Sequence, residues 1–247
     1  MKITEIHAKS VLTKSKVSDY SINPYVGCEH NCVYCYAGFM KRFYAHKEPW
    51  GEFVDVKINT ADILENEIKR KKIGRVWISG ICDPYQPIEK KYRLTRKCLE
   101  ILIKNNWPVT IQTKSSLVLR DMDILKKSEK VEVGFTINTT DEKIKNIFEP
   151  NTSSIKERID ALEKLHMSGI KTYIMIAPIL PKVEGLSKQL IGKVDYVIID
   201  KLNYNYADRV YRKNNLEYAM SEEFFIQKRK ELESEFKKAG IKCQVIF

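Results

Sequence analysis

Glycine is scarce in this chain. Ten glycines in 247 residues exclude a collagen-like or repeat-built molecule. Long apolar runs are missing too. Stretches such as Val197-Ile198-Ile199 and Ile174-Met175-Ile176-Ala177 fall far short of the roughly 18 residues that a membrane span needs. The opening MKITEIHAKS has no apolar segment behind its charge, so no secretory signal, no membrane partner and a cytoplasmic location are expected. In that setting six cysteines are not expected to form a disulfide framework. No helix-turn-helix, zinc-finger or RRM signature is present. What is there is ordinary globular composition, 43% hydrophobic and 30% charged, which excludes disorder. Lys and Arg number 43 against 32 Asp and Glu, and the formal charge of +11 attracts anionic partners.

The length suits one large domain or two small ones. Along it, strand and helix signals alternate with few linkers. An extended segment at 21–26 runs into a cysteine cluster. A minor strand is expected at 57–59 and a helix at 61–70, with Ile63, Leu64 and Ile68 on one side. Further strands are expected at 75–79, 109–113, 132–137, 171–177, 195–199 and 242–247. Helices are expected at 94–104, 121–127, 141–148 and 186–191, with the longest at 221–238. Ser154-Ile-Lys-Glu157 reads as a capping box that opens a helix to about His166, which Gly169 ends. Six strand-then-helix units imply parallel βα architecture, because parallel neighbours need a helical crossover. A complete eight-fold barrel takes about 250 residues and would leave little for the cysteine loop. Periodicity alone leaves a doubly wound sheet open as well.

The cluster reads Asn23-Pro-Tyr-Val-Gly-Cys28-Glu-His-Asn-Cys32-Val-Tyr-Cys35-Tyr36. Three thiolates on one loop can converge on a soft metal centre, and Gly27 lets the backbone turn tightly before them. Four thiolates would close a [4Fe-4S] cluster, whereas three leave one iron open for chemistry. The competing reading is structural zinc with His30 as fourth ligand. Against it, His30 lies inside the three-residue gap between two ligands, where reaching the same ion strains the span. Cys98 and Cys243 read as small buried hydrophobes.

Cys28-x3-Cys32-x2-Cys35, with Tyr34 before the last cysteine, resembles the signature of radical S-adenosylmethionine enzymes. Residues 79–84, Thr113-Lys114, 135–139, 148–154, Arg158 and 176–178 are similar to the spore photoproduct lyase branch, a likeness that spans roughly residues 21–181. The resemblance implies an incomplete (β/α)6 TIM-type barrel over residues 21–200 with the cluster loop at 27–43. An N-terminal extension (1–20) precedes it, and a C-terminal extension (201–247) covers the barrel mouth. It implies a [4Fe-4S] cluster on Cys28, Cys32 and Cys35, with S-adenosylmethionine chelating the open iron. One-electron reduction by an external ferredoxin- or flavodoxin-type donor would then yield a radical that abstracts hydrogen from a substrate.

The same resemblance distributes the cofactor contacts. Lys114 is implied to bind the cofactor carboxylate and Thr136 to hydrogen-bond it. Cys82 falls on a cofactor-contacting serine of the lyase. Asp83 either accepts from the cofactor ammonium or fixes the turn before Pro84. Tyr34 flanks adenine, and the backbone at Ala177 closes over it. Tyr36 either reaches the cluster edge or packs in the core, and Arg158 pairs with Glu149 or with a cofactor carboxylate. The lyase's hydrogen-returning cysteine has its counterpart at Gly80, and neither Ser79 nor Gly80 offers a thiol, so thymine-dimer reversal is not carried over. Residues 204–213 interleave Tyr204, Tyr206 and Tyr211 with Arg209, Arg212 and Lys213, a pattern suited to DNA or RNA. The alternative is an amphipathic cover on the barrel's open end. A monomeric enzyme of unidentified substrate is the main expectation. A non-catalytic, cluster-bearing nucleic-acid-binding protein is the second.

Overall fold

The computed structural model describes residues 1–247 and divides into two compact units. One comprises Met1–Asn31 and Ala37–Val133; the other comprises Cys32–Tyr36 and Gly134–Phe247. The strands are β1 (Lys2–Ile6), β2 (Leu12–Lys14), β3 (Tyr20–Ile22), β4 (Tyr25–Val26), β5 (Phe53–Lys57), β6 (Val76–Ile78), β7 (Val109–Thr113), β8 (Val131–Thr136), β9 (Lys171–Ile176), β10 (Tyr196–Ile199) and β11 (Lys242–Val245).

In the first unit β3, β6 and β7 run parallel, in register Ile22↔Ile78↔Ile111, and β2 joins β3 antiparallel. Crossover helices separate them. Helix Thr60–Ile68 buries Thr60, Leu64 and Ile68, one residue per turn on a single face. Helix Leu94–Lys104 buries Leu94, Cys98, Leu99, Ile101 and Leu102 in the same way. A second sheet pairs β1 parallel and β4 antiparallel with β5. The strand expected at 57–59 is displaced: β5 ends at Lys57, because Phe53, Val54 and Val56 are the buried run. Asn59 instead closes a turn, bonding both the N–H and the C=O of Ala8. The helix expected at 121–127 is shorter, Met122–Leu125, and is preceded by a 3-10 turn, Ser116–Asp121.

In the second unit β9, β10 and β11 are parallel, in register Tyr173↔Tyr196↔Lys242. The capping box is as expected. Ser154 Oγ accepts from Glu157 N (3.2 Å) and Glu157 Oε2 accepts from Ser154 N (2.8 Å), opening helix Ile155–Met167. Ser221 caps the longest helix, Glu222–Lys238, accepting from Phe224 N. Cys98 is fully buried, but Cys243 is only half-buried, on β11 at the end of the strand order between exposed Lys242 and Gln244. Each unit is mixed α/β, with parallel strands joined through helices. No helix is long and apolar enough to cross a membrane.

Candidate cluster and cofactor site

In the first unit β4 delivers the chain to Gly27, whose φ of +88° is open to glycine at little cost. A Cβ there would run into the Phe53 carbonyl. The turn leads to Cys28, whose buried sulfur accepts from the N–H of Asp83 at 3.5 Å. Asp83 is a hub. Its Oδ1 accepts from Tyr85 N (2.8 Å) and Thr113 Oγ1 (2.6 Å), and its Oδ2 from Lys114 N (2.8 Å). His30 Nδ1 lies 3.3 Å from Oδ2. Burial alone would raise the carboxyl, but His30, Thr113 and Lys114 outweigh it and hold Asp83 at about 2. The aspartate therefore stays ionised and fixes the loop ahead of Pro84.

Cys82 faces away from this hub. It packs against Tyr25, Val54, Val56, Ile88 and Leu94, and donates to the Tyr25 carbonyl at 3.5 Å. Burial pushes its thiol up to about 12, so it remains a neutral thiol. Gln86, fully buried and not anticipated from the sequence, bonds Gly27 O and Glu29 N.

In the second unit Cys35 N donates to Cys32 O (3.1 Å), and Val33 N donates to Phe148 O (3.0 Å). Between the cysteines, Tyr34 is buried. Its hydroxyl donates to Glu149 and accepts from Asn138 Nδ2 at 2.9 Å. Burial, then the Glu149 charge, hold the phenol well above its ordinary range, so it stays protonated. Arg158 forms the ion pair with Glu149, Nη1 to Oε2 at 2.6 Å, with both side chains almost fully buried. It also donates to Thr136 O (2.8 Å), to Ser153 O (2.9 Å) and to Thr152 Oγ1. Asn138 grips Ala177 by both backbone groups: Ala177 N donates to Oδ1 (2.8 Å) and Nδ2 donates to Ala177 O (3.2 Å). Thr136 is buried at the end of β8.

Farther along this unit three half-exposed tyrosines form a ladder. Tyr204 and Tyr206 stack at 5.7 Å and 7° between planes, and Tyr36 stacks on Tyr204 at 6.1 Å and 21°. Tyr36 is therefore not a core residue. Tyr211 leaves the interleaved pattern: helix Asp208–Lys213 turns it inward, where it is fully buried against Phe148 at 4.6 Å. Arg209, Arg212 and Lys213 stay exposed, and Arg212 approaches Asp208 at 3.7 Å. None of the six cysteines forms a disulfide. The structure gathers no group of three or more His, Cys, Asp or Glu side chains into metal-holding geometry.

The radical SAM superfamily signature matches residues 22–184, about two thirds of the chain and all of the loop and strand ends just described. The chain belongs to the radical SAM superfamily. Membership in this superfamily of enzymes implies use of S-adenosylmethionine and an iron–sulfur cluster. An uncharacterised protein of Methanocaldococcus jannaschii is 42% identical over 183 residues, covering 73% of this chain and 69% of that protein. An uncharacterised Mycobacterium tuberculosis protein is 28% identical over 186 residues, and the chain spans about half of its length (54%). In fold, the radical SAM chain is similar to spore photoproduct lyase complexed with dinucleoside spore photoproduct: TM-score 0.71 at 20% identity, covering 98% of this chain and 81% of that one.

Proposed function

We propose that Cys28, Cys32 and Cys35 hold a [4Fe-4S] cluster with one iron open to S-adenosylmethionine, and that the chain uses it to start hydrogen abstraction from a substrate. The observation that carries this reading is the N–H of Asp83 aimed at the Cys28 sulfur. Such a donor suits a thiolate ligand, since hydrogen bonds to sulfur tune these clusters. His30 turns Nδ1 to the Asp83 carboxylate, so a zinc reading would have to draw on Nε2 from inside the three-residue gap between Cys28 and Cys32. The parallel strand–helix units and the likeness in fold to the lyase support the incomplete (β/α)6 barrel.

When bound, the cluster and S-adenosylmethionine supply a one-electron reduction of the sulfonium and a carbon radical; a ferredoxin- or flavodoxin-type donor provides the electron. The chain's own residues bind and orient. Lys114 offers its ammonium to the cofactor carboxylate, and the Thr136 hydroxyl offers a hydrogen bond beside it. Asp83 already accepts three hydrogen bonds, from Tyr85 N, Thr113 Oγ1 and Lys114 N, with His30 Nδ1 beside Oδ2. It serves the cofactor by fixing the backbone at Cys82–Asp83 and Lys114. Tyr34 presents its backbone to adenine while its hydroxyl is tied down, and Ala177 keeps its methyl group and one carbonyl lone pair for the same ring.

The tyrosine ladder favours a nucleic-acid substrate. Exposed parallel rings beside Arg209, Arg212 and Lys213 suit bases and phosphates, and the +11 charge steers the same ligand. Anaerobic reconstitution tests the enzyme reading. About four irons and four sulfides per chain are expected, with 5′-deoxyadenosine released on addition of S-adenosylmethionine and reductant. Stoichiometric zinc without acid-labile sulfide would overturn it.

A further inference from the structure

Gln86 belongs to no role assigned so far, yet its surroundings are unusually specific. It is fully buried, and both ends of its amide are used on the residues either side of Cys28. Nε2 donates to the Gly27 carbonyl at 3.2 Å, and Oε1 accepts from the Glu29 N–H at 2.9 Å. The grip is reciprocated, because the Glu29 carboxylate accepts from Ile88 N, two residues beyond Gln86. Between these bonds the Asp83 N–H reaches the Cys28 sulfur. One short turn, 83–88, thus fixes the backbone before the cysteine, the backbone after it and the sulfur itself.

We propose that Gln86 is a positioning residue for the cluster, clamping the peptide groups that flank Cys28 so that its sulfur is held in one place before iron arrives. The inference rests on the cluster reading above. A side-chain amide suits this job. The Gly27 carbonyl needs a donor and the Glu29 N–H needs an acceptor, and glutamine supplies both on one planar group. Metal-binding sites hold their ligands through such outer partners, and losing one typically costs about 10–100-fold in metal affinity.

The test compares wild type with Gln86→Met, which keeps the length and loses both bonds. It includes Gln86→Glu, which keeps the acceptor for Glu29, and Leu99→Ala as a control for general loss of core stability. Two quantities are read: iodoacetamide labelling of Cys28 in the iron-free protein, resolved by peptide mass spectrometry, and the rate of iron loss from reconstituted protein to a chelator. Gln86→Met is expected to label Cys28 and to lose iron about tenfold faster or more. Gln86→Glu should lie between it and wild type, with Leu99→Ala near wild type. If wild type takes up its iron and Gln86→Met matches Leu99→Ala in both readings, the clamp is overturned and the enzyme reading stands. If wild type takes up no iron or sulfide, both fall.

Discussion

Replacing Arg158 with methionine keeps most of the side chain's length and removes its charge from a site where almost no water can replace it. The Arg158 and Glu149 side chains are 1% and 2% exposed, and their charged atoms lie 2.6 Å apart. Burial pulls the guanidinium down, yet the Glu149 carboxylate beside it more than compensates and keeps Arg158 above its ordinary range. In the variant, Glu149 stays buried without its cation, keeping the Tyr34 hydroxyl and the Asn138 amide as donors, while the carbonyls of Thr136 and Ser153 each lose a partner. Removing one member of such a pair costs about 3–5 kcal/mol, because the remaining charge is left uncompensated. That is a large part of the roughly 5–15 kcal/mol by which a domain is stable. Urea unfolding of the iron-free protein, followed by circular dichroism, reads the loss directly. Because the pair is buried, the loss should change little between low and high salt. The double variant Glu149→Gln/Arg158→Met should recover a good part of it, since no bare charge then remains inside. A loss below about 1 kcal/mol, the range of exposed pairs, would refute the claim that this ion pair frames the Tyr34 loop.

Other outcomes follow from single contacts. Lys114→Ala should keep its iron and bind S-adenosylmethionine about tenfold or more weakly, because a charged hydrogen bond contributes roughly 1.5–3 kcal/mol; unchanged affinity by calorimetry would remove Lys114 from the cofactor site. Tyr204→Ala and Tyr206→Ala should each weaken single-stranded oligonucleotide binding by about 1–3 kcal/mol with little change in salt slope, whereas Arg209→Ala with Lys213→Ala should flatten that slope. No binding of single- or double-stranded nucleic acid at low salt would remove this substrate class. Gly134→Ala should cost about 1–3 kcal/mol, because the new Cβ runs into the Tyr173 ring, while Gly80→Ala, whose Cβ meets nothing within 4 Å, should be close to neutral.

Much of this was legible in the sequence, and for local reasons. The Ser154 capping box, the VTIQT strand and the periodic face of Leu94–Lys104 each depend on residues within a turn or two of one another. The three-cysteine spacing is local as well. What escaped was set by partners far away in the chain. Asp55 breaks the apolar run of β5 and hides that strand, until His46 Nε2 is seen to satisfy it at 2.8 Å. Gln86 lies 59 positions from Gly27, and Asn138 lies 39 from Ala177, separations at which no periodicity speaks. Spacing alone groups Tyr211 with Tyr204 and Tyr206, because it does not say where a helix begins. Once helix Asp208–Lys213 starts, the ring swings inward. The Arg158–Glu149 pair was within reach because both residues flank the same helix start.

The grip of Asn138 on Ala177 also separates where an instruction is stored from where it is carried out. The N–H and C=O that Asn138 holds are common to every residue type except proline, which lacks the donor, so the identity of residue 177 contributes nothing to that contact. Changes at 177 should therefore be tolerated up to the space available, while position 138 admits almost no substitute. Aspartate there would set an acceptor against the Ala177 carbonyl, and leucine would silence both bonds. In related chains the residue to compare is the one at 138, although the backbone it shapes belongs to 177.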